Sequence, residues 1–370
     1  MRALVVDQEP PQATRDGGAA RMVTLLRLLK DLGHGVAFTS LRPWPADLVG
    51  ARERLVELGV ELVAPDGEIG TWLREHGHNL DLVVASRLPV AKVLLALTRT
   101  HCPTARFVYD ATHVEHLAMF RLAKMTGNKT LLAAALRDRA AERDVVAAAD
   151  TVLVTSEEDA DALRYLIPAA DIHVVPAVDT GGAAPVAVSR SGIVFLGYFG
   201  VIENQVAVRR LIEKVWPGVE AEFGPTPLTV VGAAPPEWLV AASAENLRLA
   251  VTGHLPTLRG VLNRSAVMVV PLQGGAGVKT KVLQAFAHGL PVVATAAGMR
   301  GVPAVDGVHT LLAESDADLV TAAVRILRDP ELGRALASRA STLLSQRFSD
   351  DVSRASLQKA LAGHEVVAGG

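Results

Sequence analysis

Residues 274–295 read GGAGVKTKVLQAFAHGLPVVAT: glycines, then two lysines, then an amphipathic helix pattern, then an apolar run. Backbone amides at a helix start are unpaired and point outward, and the helix dipole favours an anion there. Glycines at 274, 275 and 277 would let a phosphate approach the backbone closely. Lys279 and Lys281 add positive charge at an end where lysines oppose the dipole, so a bound anion explains them. Short glycine motifs are weak evidence alone, and a plain loop with solvated lysines reads equally well.

A second helix start of this kind follows the first apolar run, where Gly17 and Gly18 precede LLRLL. A third polar cluster follows the run RFVY and contains Asp110, His113, Glu115 and His116. A histidine there could hydrogen-bond a sugar hydroxyl or move a proton, or it could simply cap a helix. A basic amphipathic helix over residues 114–149 carries Arg121, Lys124, Lys129, Arg137 and Arg139. It could make a weak peripheral contact with an anionic membrane. Asp138, Glu142 and Asp144 interrupt it, which favours a solvated face.

The elements that must position these residues are legible from the apolar runs. ALVV, GVAF, LDLVVA, RFVY, TVLVT and IHVV occur in the first half. GIVFLG, LTVVG, LAVTG, AVMVVPL and PVVAT occur in the second. They are short and continuous, as in parallel strands buried on both faces. Helical patterns separate them. After Met22, apolar residues recur at Leu25, Leu26, Leu29 and Leu32, and Gly33 ends the pattern. This alternation predicts an α/β doubly wound fold in which ligands gather at strand C-terminal ends.

The 370 residues, half of them hydrophobic, suffice for two cores. The segment 177–192 is rich in Gly, Ala, Pro and Ser and marks a break. The expected organisation is an N-terminal domain over 1–180, a linker over 181–192 and a C-terminal domain over 193–345. A C-terminal helical segment over 346–370 would pack back on the N-terminal domain. A formal net charge of -2 gives no electrostatic footprint for nucleic acid. The single cysteine, Cys102, fits a reducing cytoplasm, and no run reaches the ~20 apolar residues of a bilayer span. The histidines do not pair with other ligands at metal spacing, so no metal is expected. A dinucleotide oxidoreductase is disfavoured, because the first strand lacks G-x-G-x-x-G and the second lacks a terminal acid.

Taken together, these stretches resemble the family four retaining glycosyltransferases, glycosyl transferases group 1, with the GT-B fold. GGAARMVTLLRLLKDLGHGV is similar to the family's N-terminal glycine loop and first helix. IVFLGYFGVIENQVAVRRLIEKVWP, LTVVGAAPPEWL and LAVTGHLPTL follow in family order, then the opening stretch and GMRG. The resemblance implies two Rossmann-like domains facing each other across a cleft. It implies transfer of a sugar from a nucleoside-diphosphate sugar to a hydroxyl of a glycan, lipid or natural product, in bacterial carbohydrate biosynthesis. Retention and no cofactor or metal are expected. By position, Gly253, His254, Leu255 and Gln284 would hold the nucleoside. Gly275, Ala276, Gly277, Lys279, Lys281 and Arg300 would hold the diphosphate and sugar, with Gly17 and Gly18. His113 falls near the family's catalytic histidine. Two family glutamates are replaced, by Ala276 and Gln284, and the usual Arg and Lys after the first C-domain strand are Tyr198 and Asn204. The alternative is therefore a weak or inactive GT-B protein that binds a nucleotide sugar or a partner.

Overall fold

The computed structural model describes residues 1–11, 17–44, 49–64, 68–176 and 189–362. Most of the expected linker, the pair Ala177–Val178 and part of the first loop lie outside these residues. Two compact units form, Met1–Asp179 with Phe348–Gly370 and Thr180–Arg347.

The first unit holds β1 (Arg2–Asp7), β2 (Gly35–Ser40), β3 (Glu61–Leu62), β4 (Leu82–Ser86), β5 (Arg106–Ala111), β6 (Thr151–Val154) and β7 (Ile172–Val174). Its helices are α1 (Gly17–Asp31), α2 (Val49–Glu57), α3 (Ile69–His76), α4 (Leu88–His101), α5 (Glu115–Thr126), α6 (Lys129–Ala148) and α7 (Glu157–Leu166). The seven strands pair in the order β3-β2-β1-β4-β5-β6-β7, every ladder parallel. Leu4 and Val6 of β1 enter one buried cluster and Ala3 and Val5 the other, so the sheet has a core on each face. That is why its strands read as continuous apolar runs.

The second unit holds β8 (Ile193–Leu196), β9 (Leu228–Val231), β10 (Leu249–Val251), β11 (Val267–Val270), β12 (Val292–Ala294) and β13 (Leu311–Leu312). Its helices are α8 (Ile202–Arg210), α9 (Trp216–Phe223), α10 (Glu237–Glu245), α11 (Arg259–Leu262), α12 (Thr280–Ala287), α13 (Asp316–Arg328) and α14 (Pro330–Phe348). The order is β10-β9-β8-β11-β12-β13, again wholly parallel. The chain then adds α15 (Asp350–Ala362), which packs on α1 and β7 of the first unit. Arg106, at the start of β5, donates to the carbonyls of Leu361 at 2.5 Å and Ala360 at 3.3 Å. Those are helix-end carbonyls that would otherwise lack partners.

Each of the eleven quoted apolar runs forms a strand, β1, β2 and β4 to β12. The two strands that the patterns miss, β3 and β13, are edge strands of two residues each, too short to show a period. The helix expected over 114–149 is two helices. Gly127 ends α5 in the left-handed region, φ 67°. The Asn128 side chain then accepts from the amides of Thr130 and Leu131 to start α6.

One buried ion pair ties the first unit together. Arg21 of α1 donates to Asp110 Oδ1 at 2.6 Å and to the carbonyls of Val175 at 2.6 Å and Pro176 at 2.8 Å. Asp110 is fully buried and also accepts from the Ser86 hydroxyl at 3.0 Å. Removing one partner would leave the other charge buried and uncompensated. Asp110→Ala is expected to cost about 3–5 kcal/mol of unfolding free energy, measured by urea denaturation. A loss below ~1 kcal/mol would show that the pair does not hold α1 to β5.

Candidate functional site

Both sheets present polar and charged side chains where strands end and helices begin. In the first unit, β1 and β4 are neighbours, and Arg87 donates from Nε to Asp7 Oδ1 at 2.8 Å. Burial is the largest influence on Asp7 and holds its carboxyl above the usual range, against the pull of Arg87. The Arg87 guanidinium also lies over the start of α1. A Cβ at Gly18 would meet its Nη2 at 2.6 Å, so the glycine leaves room for the cation. Arg87 has φ 73°, an uncommon conformation for a residue with a side chain. Gly17 is the first residue of α1, beside this contact.

His113 follows β5, the strand next to β4. Its Nε2 lies 3.0 Å from Glu115 Oε2, and its Nδ1 lies 3.2 Å from the Thr112 hydroxyl. The hydrogen bond from His113 holds the Glu115 carboxyl below its usual range, and Arg87 adds to the effect. Arg87, over the start of α1, is thus close enough to Glu115 to influence its carboxyl, while Glu115 contacts His113. Sequence reading picked out His113 and Gly17–Gly18 but missed Arg87. The signal was present: Arg87 follows the apolar strand LVVAS, the position that drew attention to His113. His116 lies elsewhere, buried against Glu142 with Nδ1 2.6 Å from Oε2.

In the second unit, the loop after β11 runs through the glycines to α12. Gly275 and Gly277 have φ 105° and 64°, a region that other residues rarely adopt. Two cations lace this loop. Lys279 is 8% exposed, and its ammonium donates to the carbonyls of Ala276 at 2.7 Å and Gly277 at 3.3 Å. Arg300 donates to the Gly275 carbonyl at 2.9 Å, and the Lys279 amide donates to the Arg300 carbonyl at 3.2 Å. Gly275, Ala276, Gly277, Lys279 and Arg300 thus form one cluster.

Lys281, in the first turn of α12, reaches the other way. Its ammonium donates to Asn204 Oδ1 at 2.6 Å and lies 4.8 Å from the centroid of the Phe195 ring. Asn204 is itself fixed, donating to the Tyr198 carbonyl at 2.8 Å. These partners are an amide and an aromatic face, and among the described residues no carboxylate forms an ion pair with Lys281. Desolvation, with repulsion from Lys279, lowers the lysine from 10.5 to about 7, against a weaker pull from Glu203.

The remaining nucleoside candidates divide. Gln284, half-buried, sits one turn along α12 from Lys281. Gly253, His254 and Leu255 follow β10, with β9 and β8 between that strand and β11. Their loop joins the neighbouring strand exit, since the Gly232 amide donates to the Gly253 carbonyl at 2.9 Å, and the His254 side chain is exposed. Among the described residues no group of three or more His, Cys, Asp or Glu is placed to hold a metal ion. No described helix is long and apolar enough to cross a membrane.

Residues 190–329 match the family described as glycosyl transferases group 1, the family whose resemblance the motifs carry. No curated protein matches the sequence. Among solved structures, a sucrose-phosphate synthase from Thermosynechococcus elongatus is similar, with TM-score 0.74 and 18% identity over 97% of this chain and 98% of that one. HepE from Anabaena in complex with UDP-glucose has TM-score 0.73 and 15% identity over 98% and 100%. TarM from S. aureus, in complex with fondaparinux, alpha-GlcNAc-glycerol and UDP, has TM-score 0.78 and 9% identity over 98% and 100%. The fold is that of the GT-B glycosyltransferases.

The depressed lysine has a measurable consequence in the free protein. Between pH ~7 and 10.5 the unfolded chain binds a proton at Lys281 that the folded chain does not. Stability from this group therefore rises with pH through that window, and the penalty is complete below it. Lys281→Met is expected to flatten the rise, read as melting temperature at pH values across the window. An unchanged pH profile would mean that Lys281 is not the desolvated cation.

Proposed function

We propose that this chain transfers a sugar from a nucleoside-diphosphate sugar to an acceptor hydroxyl, with retention and without a metal. The observation that carries the reading is the cationic loop of the second unit. Lys281 is desolvated and its ammonium contacts an amide oxygen and an aromatic ring, with only a weaker pull from Glu203, beside a glycine loop whose own cations serve its carbonyls. An anion is what this edge lacks. The match of residues 190–329 to a glycosyltransferase family, and the UDP and UDP-glucose bound by similar structures, support a nucleoside diphosphate as that anion.

As the sugar bond breaks, the diphosphate gains charge. Cations and amides fixed in advance stabilise that charge more in the transition state than in the ground state. We assign Lys281 to this work, with the amides of Gly275, Ala276 and Gly277 and with Lys279 and Arg300 shaping the loop. Gln284 takes the ribose, and Gly253, His254 and Leu255 the base. Gln284 offers one acceptor oxygen where the family carboxylate offers two, so its grip on the ribose hydroxyls is weaker. His113 is assigned a hydrogen bond to the transferred sugar, with Glu115 fixing its ring. Gly17 and Gly18, under Arg87, are assigned to the diphosphate. The acceptor, a glycan, lipid or natural product bearing a hydroxyl, is assigned to the first unit.

Two glutamates typical of the family stand as Ala276 and Gln284 here, and this supports a second reading, nucleotide-sugar binding without turnover. Release of free nucleoside diphosphate from a panel of nucleotide sugars with sugar acceptors separates the two. Release with one donor is expected. Binding of a donor by thermal shift, with no release from any pairing, would select the second reading. Lys281→Ala is expected to weaken nucleoside diphosphate binding about tenfold or more, the scale of one lost charge-assisted hydrogen bond. Gln284→Glu is expected to change donor affinity. Titration calorimetry reads both, and unchanged affinity in both variants would remove the site from α12.

A further inference from the structure

The helix pair α5–α6 presents a surface that the proposed transfer does not use. In the sequence, Asp138, Glu142 and Asp144 break up its basic character. The structure turns two of these acids away from solvent. Glu142 is fully buried and accepts from the Tyr109 hydroxyl at 3.1 Å and from the amides of Glu115 at 3.1 Å and His116 at 3.3 Å. Asp138, one turn earlier on the same side of α6, is half-buried, and its carboxyl is raised first by burial and then by Glu115. Asp144 stays exposed but is occupied by Arg143 at 2.9 Å.

What remains outward, at helical spacing, is Lys129, Leu132, Leu136, Arg139 and Arg143. Leu136 is 63% exposed and Leu132 39%. Lys129 and Arg139 have no ion pair among the described residues. An outward face that combines leucines with cations, while Glu142 is buried, Asp138 is half-buried and the exposed Asp144 is paired with Arg143, departs from an ordinary solvated helix. We propose that this face of α6 is a docking surface for an anionic lipid bilayer.

The chemistry selects a bilayer over a protein partner. The two leucines lie along one ridge and are flanked at both ends by long cationic side chains. Their apolar stems can lie along the acyl boundary while their charges reach headgroup phosphates. A helix lying in that plane needs no groove. The attraction is electrostatic at first contact and falls with salt.

The test uses the intact chain and sedimentation with vesicles of phosphatidylglycerol or phosphatidylcholine, at low and high salt. Binding to phosphatidylglycerol is expected, at least about tenfold stronger than to phosphatidylcholine and weakened by salt. Leu132→Gln with Leu136→Gln, and separately Arg139→Glu, are each expected to lower binding about tenfold. Arg339→Glu, an exposed position on α14, makes the same change in net charge and is expected to alter binding less than about twofold. Melting temperatures should stay unchanged, because the replaced side chains are exposed. Absence of binding to phosphatidylglycerol overturns the proposal. So does equal damage from Arg339→Glu and Arg139→Glu, which would make net charge alone responsible. A wild-type dimer that the leucine variant converts to monomer would make the face a self-interface and overturn it as well.

Discussion

Parallel pairing is the constraint from which the rest follows. Every ladder in both sheets is parallel, so most connections leave a strand at one edge and pass through a helix before the next strand. Both faces of such a sheet are covered, which leaves its interior to Val, Leu, Ile and Phe. Several of the charged side chains named above gather at the edge where unpaired helix amides also lie. Asp7, Asp110, Arg87 and His113 collect on that edge in the first unit. Lys279, Lys281 and Arg300 collect there in the second.

The two edges solve their electrostatics differently. In the first unit Arg21 pairs with Asp110 and Arg87 with Asp7, and the His113 ring lies against Glu115. Such an edge is polar and balanced, and suits a ligand bound through hydroxyls. Around the glycine loop of the second unit, the cations meet carbonyls, an amide and an aromatic ring. An amide oxygen and a ring offset only part of the charge of Lys281, which supports the proposed placing of an anionic donor beside it.

Much of this was legible in the sequence, and what was not has physical reasons. Continuous apolar runs betray strands buried on both faces, so β1, β2 and β4 to β12 could be read directly. β3 and β13 have two residues each, and no periodicity survives at that length. Residues 114–149 kept a helical composition across Gly127, yet a single left-handed residue was enough to divide them. Counting charges placed Asp138 and Glu142 on a surface, because composition does not say which side of a helix faces the core. Asn204 looked like a lost lysine. The structure shows it accepting the ammonium of Lys281, which reaches the end of β8 from another helix. Such an exchange across 77 residues has no local signature.

Gln284 is best understood together with Lys281. The two stand three residues apart on α12 and are neighbours on its surface. A carboxylate at position 284 would bind a ribose more strongly, since each of its oxygens accepts in charge-assisted bonds. It would also stabilise the charged form of Lys281. The amide gives up the first effect and avoids the second. In the proposed transfer, this lysine, lowered to about 7 in the folded protein, would be stabilised as an ammonium by the negative charge that develops on the leaving diphosphate.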